Sequence, residues 1–199
     1  MDSFECAALK DSKKIIVGVD ETGRGPLAGP VVASAVIYSK SLLKFGINDS
    51  KKLTEKKRNS LEQIIFKISP AVGVGIVWPS EVDSINVHNA SLLAMRRAIK
   101  NTSLIPDQIL IDGKFLIDQD GELSEASQRA IIKGDSRSVT IAAASVIAKT
   151  TRDSIMVAYH RLYPAYNFPS NKGYPTAEHR SAVKKFGRSP IHRKTFRVS

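Results

Sequence analysis

Three short apolar runs in the chain end in acids: residues 14–19 lead to Asp20-Glu21, residues 109–111 to Asp112, and residues 130–132 to Gly134-Asp135. Ligand sites gather where strands end on one edge of an α/β sheet, so these four carboxylates are candidates to meet there. Each has an ordinary reading as well, since Asp112-Gly113 is a common turn pair and Asp135 precedes a helical pattern that it could cap. Convergence carries a cost that says what else must be present. Two like charges ~4 Å apart repel by ~4 kcal/mol at an effective dielectric of about 20, so a bare cluster of four would take up protons or spread. A hard divalent cation reverses that sign. Oxygen-only ligation favours Mg²⁺ or Mn²⁺ over zinc, and His88, His160, His179 and His192 show no paired ligand spacing. Two such ions about 4 Å apart can clamp the attacking and leaving oxygens of a phosphodiester. The chemistry that an acidic cluster of this kind suggests is hydrolysis of a nucleic-acid backbone.

The stretch Gly23-Arg24-Gly25-Pro26-Leu27-Ala28-Gly29-Pro30 follows the first acids directly. It superficially matches a dinucleotide fingerprint, but that motif opens a helix, whereas Pro30-Val31-Val32 continues as a strand. No Gly-Lys-Ser/Thr is present, which excludes a P-loop. A Gly-Arg-Gly turn does let backbone amides approach a ligand closely, with Arg24 at hand for phosphate; read alone, it is a glycine-rich hairpin with an exposed arginine.

Charge gives an independent pointer to a polyanion. The 199 residues hold 30 Lys and Arg against 19 Asp and Glu, a net +11. Residues 149–199 carry 11 basic and 2 acidic side chains, so most of the excess lies in the last quarter. Cations aligned on phosphates release condensed counterions, and the expectation is that this quarter forms the nucleic-acid face. A solvated basic surface that aids solubility is the alternative.

The elements that must position these groups read as follows. Strands are expected at 14–19 and 31–38, paired as an antiparallel hairpin, then at 71–78, 109–111 and 130–132. Thr54 caps a helix to about Ile68, Ser80 and Asp83 match a capping box loosely, and a helix runs from about Asn89 to Lys100. A longer helix runs from Ser138 to about Leu162, with Ser145, Lys149 and Arg152 on one face. A polar loop at 164–173 leads to a basic helix from Thr176 to Phe186. This order fits one α/β layer structure, a single domain over 1–199 with a basic C-terminal segment, about 164–199, packed on it. No apolar run approaches the ~20 residues that span a bilayer, the first residues lack a secretory pattern, and Cys6 is alone. A cytoplasmic protein is expected.

Six blocks then carry a resemblance. VDETGRGPLAGPVV (19–32), NDSKKL (48–53), ILIDGK (109–114), IKGDSRS (132–138), AAASVIAKTTRD (142–153) and NKGYPTAEH (171–179) occur in the order seen in ribonuclease HII. The chain resembles that family over roughly residues 14–196. The resemblance implies a ribonuclease H-like fold, a central mixed β-sheet flanked by helices, and a Mn²⁺ or Mg²⁺ two-metal site. It implies an endoribonuclease that cleaves the RNA strand of RNA–DNA hybrids and nicks DNA duplexes 5′ to an embedded ribonucleotide, leaving 5′-phosphate and 3′-hydroxyl ends.

By position it makes Asp20, Glu21, Asp112 and Asp135 the catalytic, metal-binding acids, with Asp20 bridging both ions. It also makes Gly23, Arg24 and Gly25 the contacts to the ribose 2′-OH and its phosphates, and Tyr174 the ring packed on the deoxyribose just 3′ of the ribonucleotide. Lys51, Ser145 and Lys149 would lie near phosphates. Thr22 stands where many relatives have alanine. A monomer is expected, without a sliding-clamp docking peptide, because the chain stops at Ser199. Two rivals remain open at this point: a nuclease of the same fold that needs no 2′-OH, and a non-catalytic hybrid-binding protein.

Overall fold

The computed structural model describes residues 4–5, 14–48, 50, 53–118 and 121–198. Five strands form one mixed sheet: β1 (Ile16–Thr22), β2 (Val31–Ile37), β3 (Val72–Val77), β4 (Gln108–Asp112) and β5 (Ser127–Ile131), in the spatial order β3-β2-β1-β4-β5. The hairpin is as expected, with β1 antiparallel to β2 and β2 antiparallel to β3; β4 and β5 run parallel to β1. Asp20 and Glu21 belong to β1 itself, because β2 keeps pairing with it as far as Thr22 opposite Val32.

The helices are α1 (Glu55–Ile68), α2 (Pro79–Lys100), α3 (Val139–His160), the short α4 (Phe168–Asn171) and α5 (Ala177–Phe186). Ala90, Ala94, Ala98 and Ile99 of α2 close one face of the sheet over Val17, Val19 and Ile111. Ala142, Ala143, Val146 and Ile147 of α3, with Leu61 and Ile65 of α1, close the other. The alternating glycines of β3 face α2: a Cβ at Gly75 would collide with the carbonyl of Ala94, so helix and strand pack backbone to backbone there.

Thr54, Ser138 and Thr176 cap α1, α3 and α5, each side-chain oxygen accepting from an amide three residues on. At α3 the buried Glu5 carboxylate adds a second layer, accepting from the Ser138 hydroxyl at 2.6 Å and the Thr140 amide at 3.1 Å.

Helix α2 departs from expectation by starting ten residues early. Pro79 occupies its first position and the Glu81 carboxylate accepts from the Trp78 amide at 3.0 Å. The helix then breaks at Asn86, which has φ 65°, and restarts because the Asn86 side chain accepts from the amides of His88 and Asn89. Periodicity sees only the second segment for that reason. The expected Ser80/Asp83 box is not formed: Asp83 instead accepts from the amides of Lys194 and Thr195 at 2.8 and 3.0 Å and pins the C-terminal segment to α2.

That segment has its own apolar cluster, in which Tyr166, Phe168, Val183 and Ile191 pack on Ala28 and Met156. Among the described residues no helix is long and apolar enough to cross a membrane.

Candidate active site

Register brings the first three acids to one edge. In the parallel pair β1/β4, Val19 is opposite Ile111, so Asp20 and Asp112 are the next residues of adjacent strands. Strand alternation sends Val19 and Ile111 toward α2 and turns Asp20 and Asp112 toward α3, while Glu21 faces the α2 side. Asp112 is fixed by the Gly134 amide, which donates to it at 2.7 Å. Asp135 is the next residue, in a 3₁₀ turn that follows β5, and is buried with 7% exposure.

Electrostatics show how crowded this edge is. Burial pushes the Asp20 carboxyl well above the usual range, and the neighbouring Glu21 and Asp112 carboxylates push it further. The Ser145 hydroxyl and the Glu21 amide, which donates at 2.7 Å, offset only part of that. Glu21 is raised chiefly by burial; the Arg24 guanidinium, 3.3 Å away, opposes the rise and Asp112 adds to it. Unneutralised negative charge held among oxygen donors suits a hard divalent cation, which would relieve it. The acids are neighbours and not yet a closed cage: among the described residues, no three His, Cys, Asp or Glu side chains are drawn together tightly enough to hold an ion.

The edge opens into a cleft of about 220 Å³ lined by Glu21, Arg24, Asp112, Lys114, His88 and Phe115. The His88 and Phe115 rings meet edge to face, 4.5 Å between centroids. The sequence marks His88 only as a histidine without paired ligand spacing and gives no sign of Phe115, because a spacing of 27 residues has no local signature. A larger cleft of about 370 Å³ lies against Arg58, Asp153 and Arg161, away from the acids.

The secondary candidates divide. Arg24 and Gly25 are exposed at the tip of the glycine turn, and Tyr174, 40% exposed, stands beside Gly25, its ring carbon 3.9 Å from where a Cβ would lie. Gly23, at φ 94°, is buried beneath them. Ser145 is buried, bonded to Ser50 at 2.7 Å and adjacent to Asp20, so it contacts the acids from within. Lys149 pairs with Asp153 at 2.7 Å. Lys51 lies outside the described residues. Arg152, expected on a shared face with Ser145 and Lys149, is fully buried, as is Arg193. The basic C-terminal quarter is therefore not wholly a surface.

The sequence model of the family described as Ribonuclease HII matches residues 17–199. The chain belongs to the ribonuclease HII family. A ribonuclease HII from Syntrophus aciditrophicus is 48% identical over 198 residues, covering 100% of this chain and 91% of the relative. Among solved structures, the ribonuclease H2 of Pyrococcus horikoshii OT3 superimposes with a TM-score of 0.77 at 29% identity, covering 92% of this chain and 94% of that one. The RNase HII of Archaeoglobus fulgidus, solved in complex with PCNA, gives 0.78 at 25% identity, covering 92% and 95%. The fold is that of ribonucleases H, and membership of ribonuclease HII makes the chain an endoribonuclease, a hydrolase of phosphodiesters.

Proposed function

We propose that this ribonuclease HII hydrolyses the RNA strand of RNA–DNA hybrids and nicks DNA duplexes on the 5′ side of an embedded ribonucleotide, leaving 5′-phosphate and 3′-hydroxyl ends. The observation that carries the reading is the crowding of Asp20, Glu21 and Asp112 at one sheet edge, directly beside the exposed Arg24-Gly25 tip. Asp20, Glu21, Asp112 and Asp135 would hold divalent cations of the Mg²⁺ or Mn²⁺ kind. When bound, such ions supply neutralisation of charge at the scissile phosphate and activation of a water.

The chain's own groups do the rest by positioning. Arg24 holds Glu21 and offers its exposed guanidinium to a phosphate. The amides at the tip of the turn reach the ribose 2′-OH, the group that distinguishes RNA from DNA at one position. Tyr174, beside Gly25, packs on the sugar that follows. Ser145 orients Asp20 from below, and Lys149 and Lys51 are the further groups assigned to phosphates. The reading includes one catalytic domain with the C-terminal segment packed on it, acting as a monomer in the cytoplasm.

Paired duplexes test it. A DNA duplex with one ribonucleotide is cut and its all-deoxy twin is not; equal cleavage of both removes the 2′-OH reading. Affinity falls log-linearly with salt, with a slope of about −0.9 per phosphate neutralised, and a flat response removes the polyanion contact.

A further inference from the structure

Two guanidiniums lie under the glycine turn, where burial lowers the tendency of both to hold a proton. Arg152 comes from α3 and Arg193 from the C-terminal segment, and their side chains are 0% and 1% exposed. Neither is part of a described carboxylate ion pair; their hydrogens go to backbone carbonyls. Arg193 donates to Arg24 O at 2.8 Å, to Gly23 O, and to Gly29 O at 2.9 Å. Arg152 donates to Pro30 O at 3.0 Å, to Ala28 O at 3.1 Å and to Lys172 O at 3.0 Å. Five carbonyls of residues 23–30 thus point inward at two cations.

The consequence follows from peptide geometry. Every peptide bond here is trans, so a C=O and the N–H that follows it point in opposite directions. With the carbonyls of Gly23 and Arg24 turned in toward Arg193, the amides of Arg24 and Gly25 are turned out, at the two exposed residues of the tip. Successive outward amides make an anion-binding concavity, and a cation behind them strengthens it. The space under the turn is filled for this arrangement: a Cβ at Gly23 would run into the Arg152 side chain. The base is also tied down, since Arg193 N donates to Leu27 O at 2.8 Å and Gly29 N to Ile191 O at 2.8 Å.

We propose that Arg193, seconded by Arg152, is a positioning residue for substrate: it sets the peptide planes of the glycine turn so that the Arg24 and Gly25 amides face the phosphate and 2′-OH of the ribonucleotide. The inference rests on the proposed function of that turn. It gives the two buried cations a task that a surface role for the basic quarter does not.

The test uses the full chain, wild type and Arg193→Lys, with a DNA duplex carrying one ribonucleotide. A lysine ammonium holds its three donors on one nitrogen and cannot span the Gly23, Arg24 and Gly29 carbonyls as the planar fork does. In the wild type without divalent metal, the ¹⁵N–¹H resonances of Arg24 and Gly25 shift on duplex addition. In Arg193→Lys those two shifts are lost; with Mn²⁺ present KM rises ~10-fold, kcat changes less than ~3-fold, and the Mn²⁺ titration midpoint stays put. Added guanidinium ion restores KM in Arg193→Ala. Arg193→Gln, which keeps neutral donors, is measured in parallel so that a folding defect in one variant leaves the other informative. Retention of the amide shifts and of KM in the folded variants overturns the inference. A wild type whose Arg24 and Gly25 amides ignore the duplex while cleavage proceeds overturns instead the reading of the turn on which it rests.

Discussion

The acid edge and the arginine-filled turn stand side by side on β1 and treat charge in opposite ways. At the edge, burial pushes Asp20 and Glu21 up; the Glu21 and Asp112 carboxylates add to the rise of Asp20 and Asp112 to that of Glu21, and Glu21 and Asp112 border an open cleft. Under the turn, Arg152 and Arg193 are more deeply buried still, yet their donors meet backbone carbonyls. Unrelieved charge marks a place built for a ligand; charge spent on internal carbonyls marks a scaffold. Two clusters, one of acids and one of arginines, are thus told apart by where their hydrogen bonds go.

The sharpest break of that contrast is Asp20→Asn. Cleavage of a ribonucleotide-containing duplex falls by ~1,000-fold, because the carboxylate that interacts with both Glu21 and Asp112 is gone. In the metal-free protein the same change stabilises. A carboxyl with a raised folded pKa is destabilising once ionised, so removing it at pH 7 raises Tm by calorimetry. A fall in Tm would contradict the crowding.

Arg152→Ala acts in the reverse sense. It strands the carbonyls of Pro30, Ala28 and Lys172 and costs about 3 kcal/mol in urea unfolding, so a cost under about 1 kcal/mol would mean the turn stands without it.

Next in size is a pH effect in the scaffold. His192 accepts from Ser189 N at 3.0 Å through Nδ1, its Nε2 meets His179 Nε2 at 3.0 Å, and His179 Nδ1 meets Tyr174 O at 2.9 Å. Burial, then the neighbouring His179, lowers the His192 pKa from 6.5 to about 4. A base with a depressed folded pKa is protonated first in the unfolded chain. Its contribution is therefore complete above pH 6.5 and is lost as pH falls from 6.5 toward 4, approaching ~3 kcal/mol. Urea midpoints measured across that window should decline, and His192→Gln should flatten the decline.

Lys149→Met is the smallest change. Its pair with Asp153 is worth under about 1 kcal/mol of stability, while the salt slope of duplex binding drops by about 1 if the ammonium reaches a phosphate.

Local pattern was enough for much of the fold. Thr54, Ser138 and Thr176 announced three helix starts because a cap bonds within its own turn, and the β1/β2 hairpin was visible because its partners are consecutive strands. The first segment of α2 was missed because its start depends on Pro79 and Glu81 and its interior breaks at Asn86, which interrupts the period. Arg152 and Arg193 were counted with the surface charge because a composition sum cannot see burial. Asp83 was assigned to a local cap when its partners, Lys194 and Thr195, are more than a hundred residues away.

The amino-acid order by itself set the family, the acids that follow apolar runs, the Gly-Arg-Gly turn and the excess of positive charge, all of which are carried by residue type and short spacing. The folded chain alone decided that Asp20 and Asp112 are adjacent, that Ser145 serves Asp20 from beneath, and that two of the arginines face inward. Those outcomes depend on strand register and on which carbonyls lie within reach of a buried donor. Both are fixed by contacts between segments far apart in sequence, for which no local period leaves a trace.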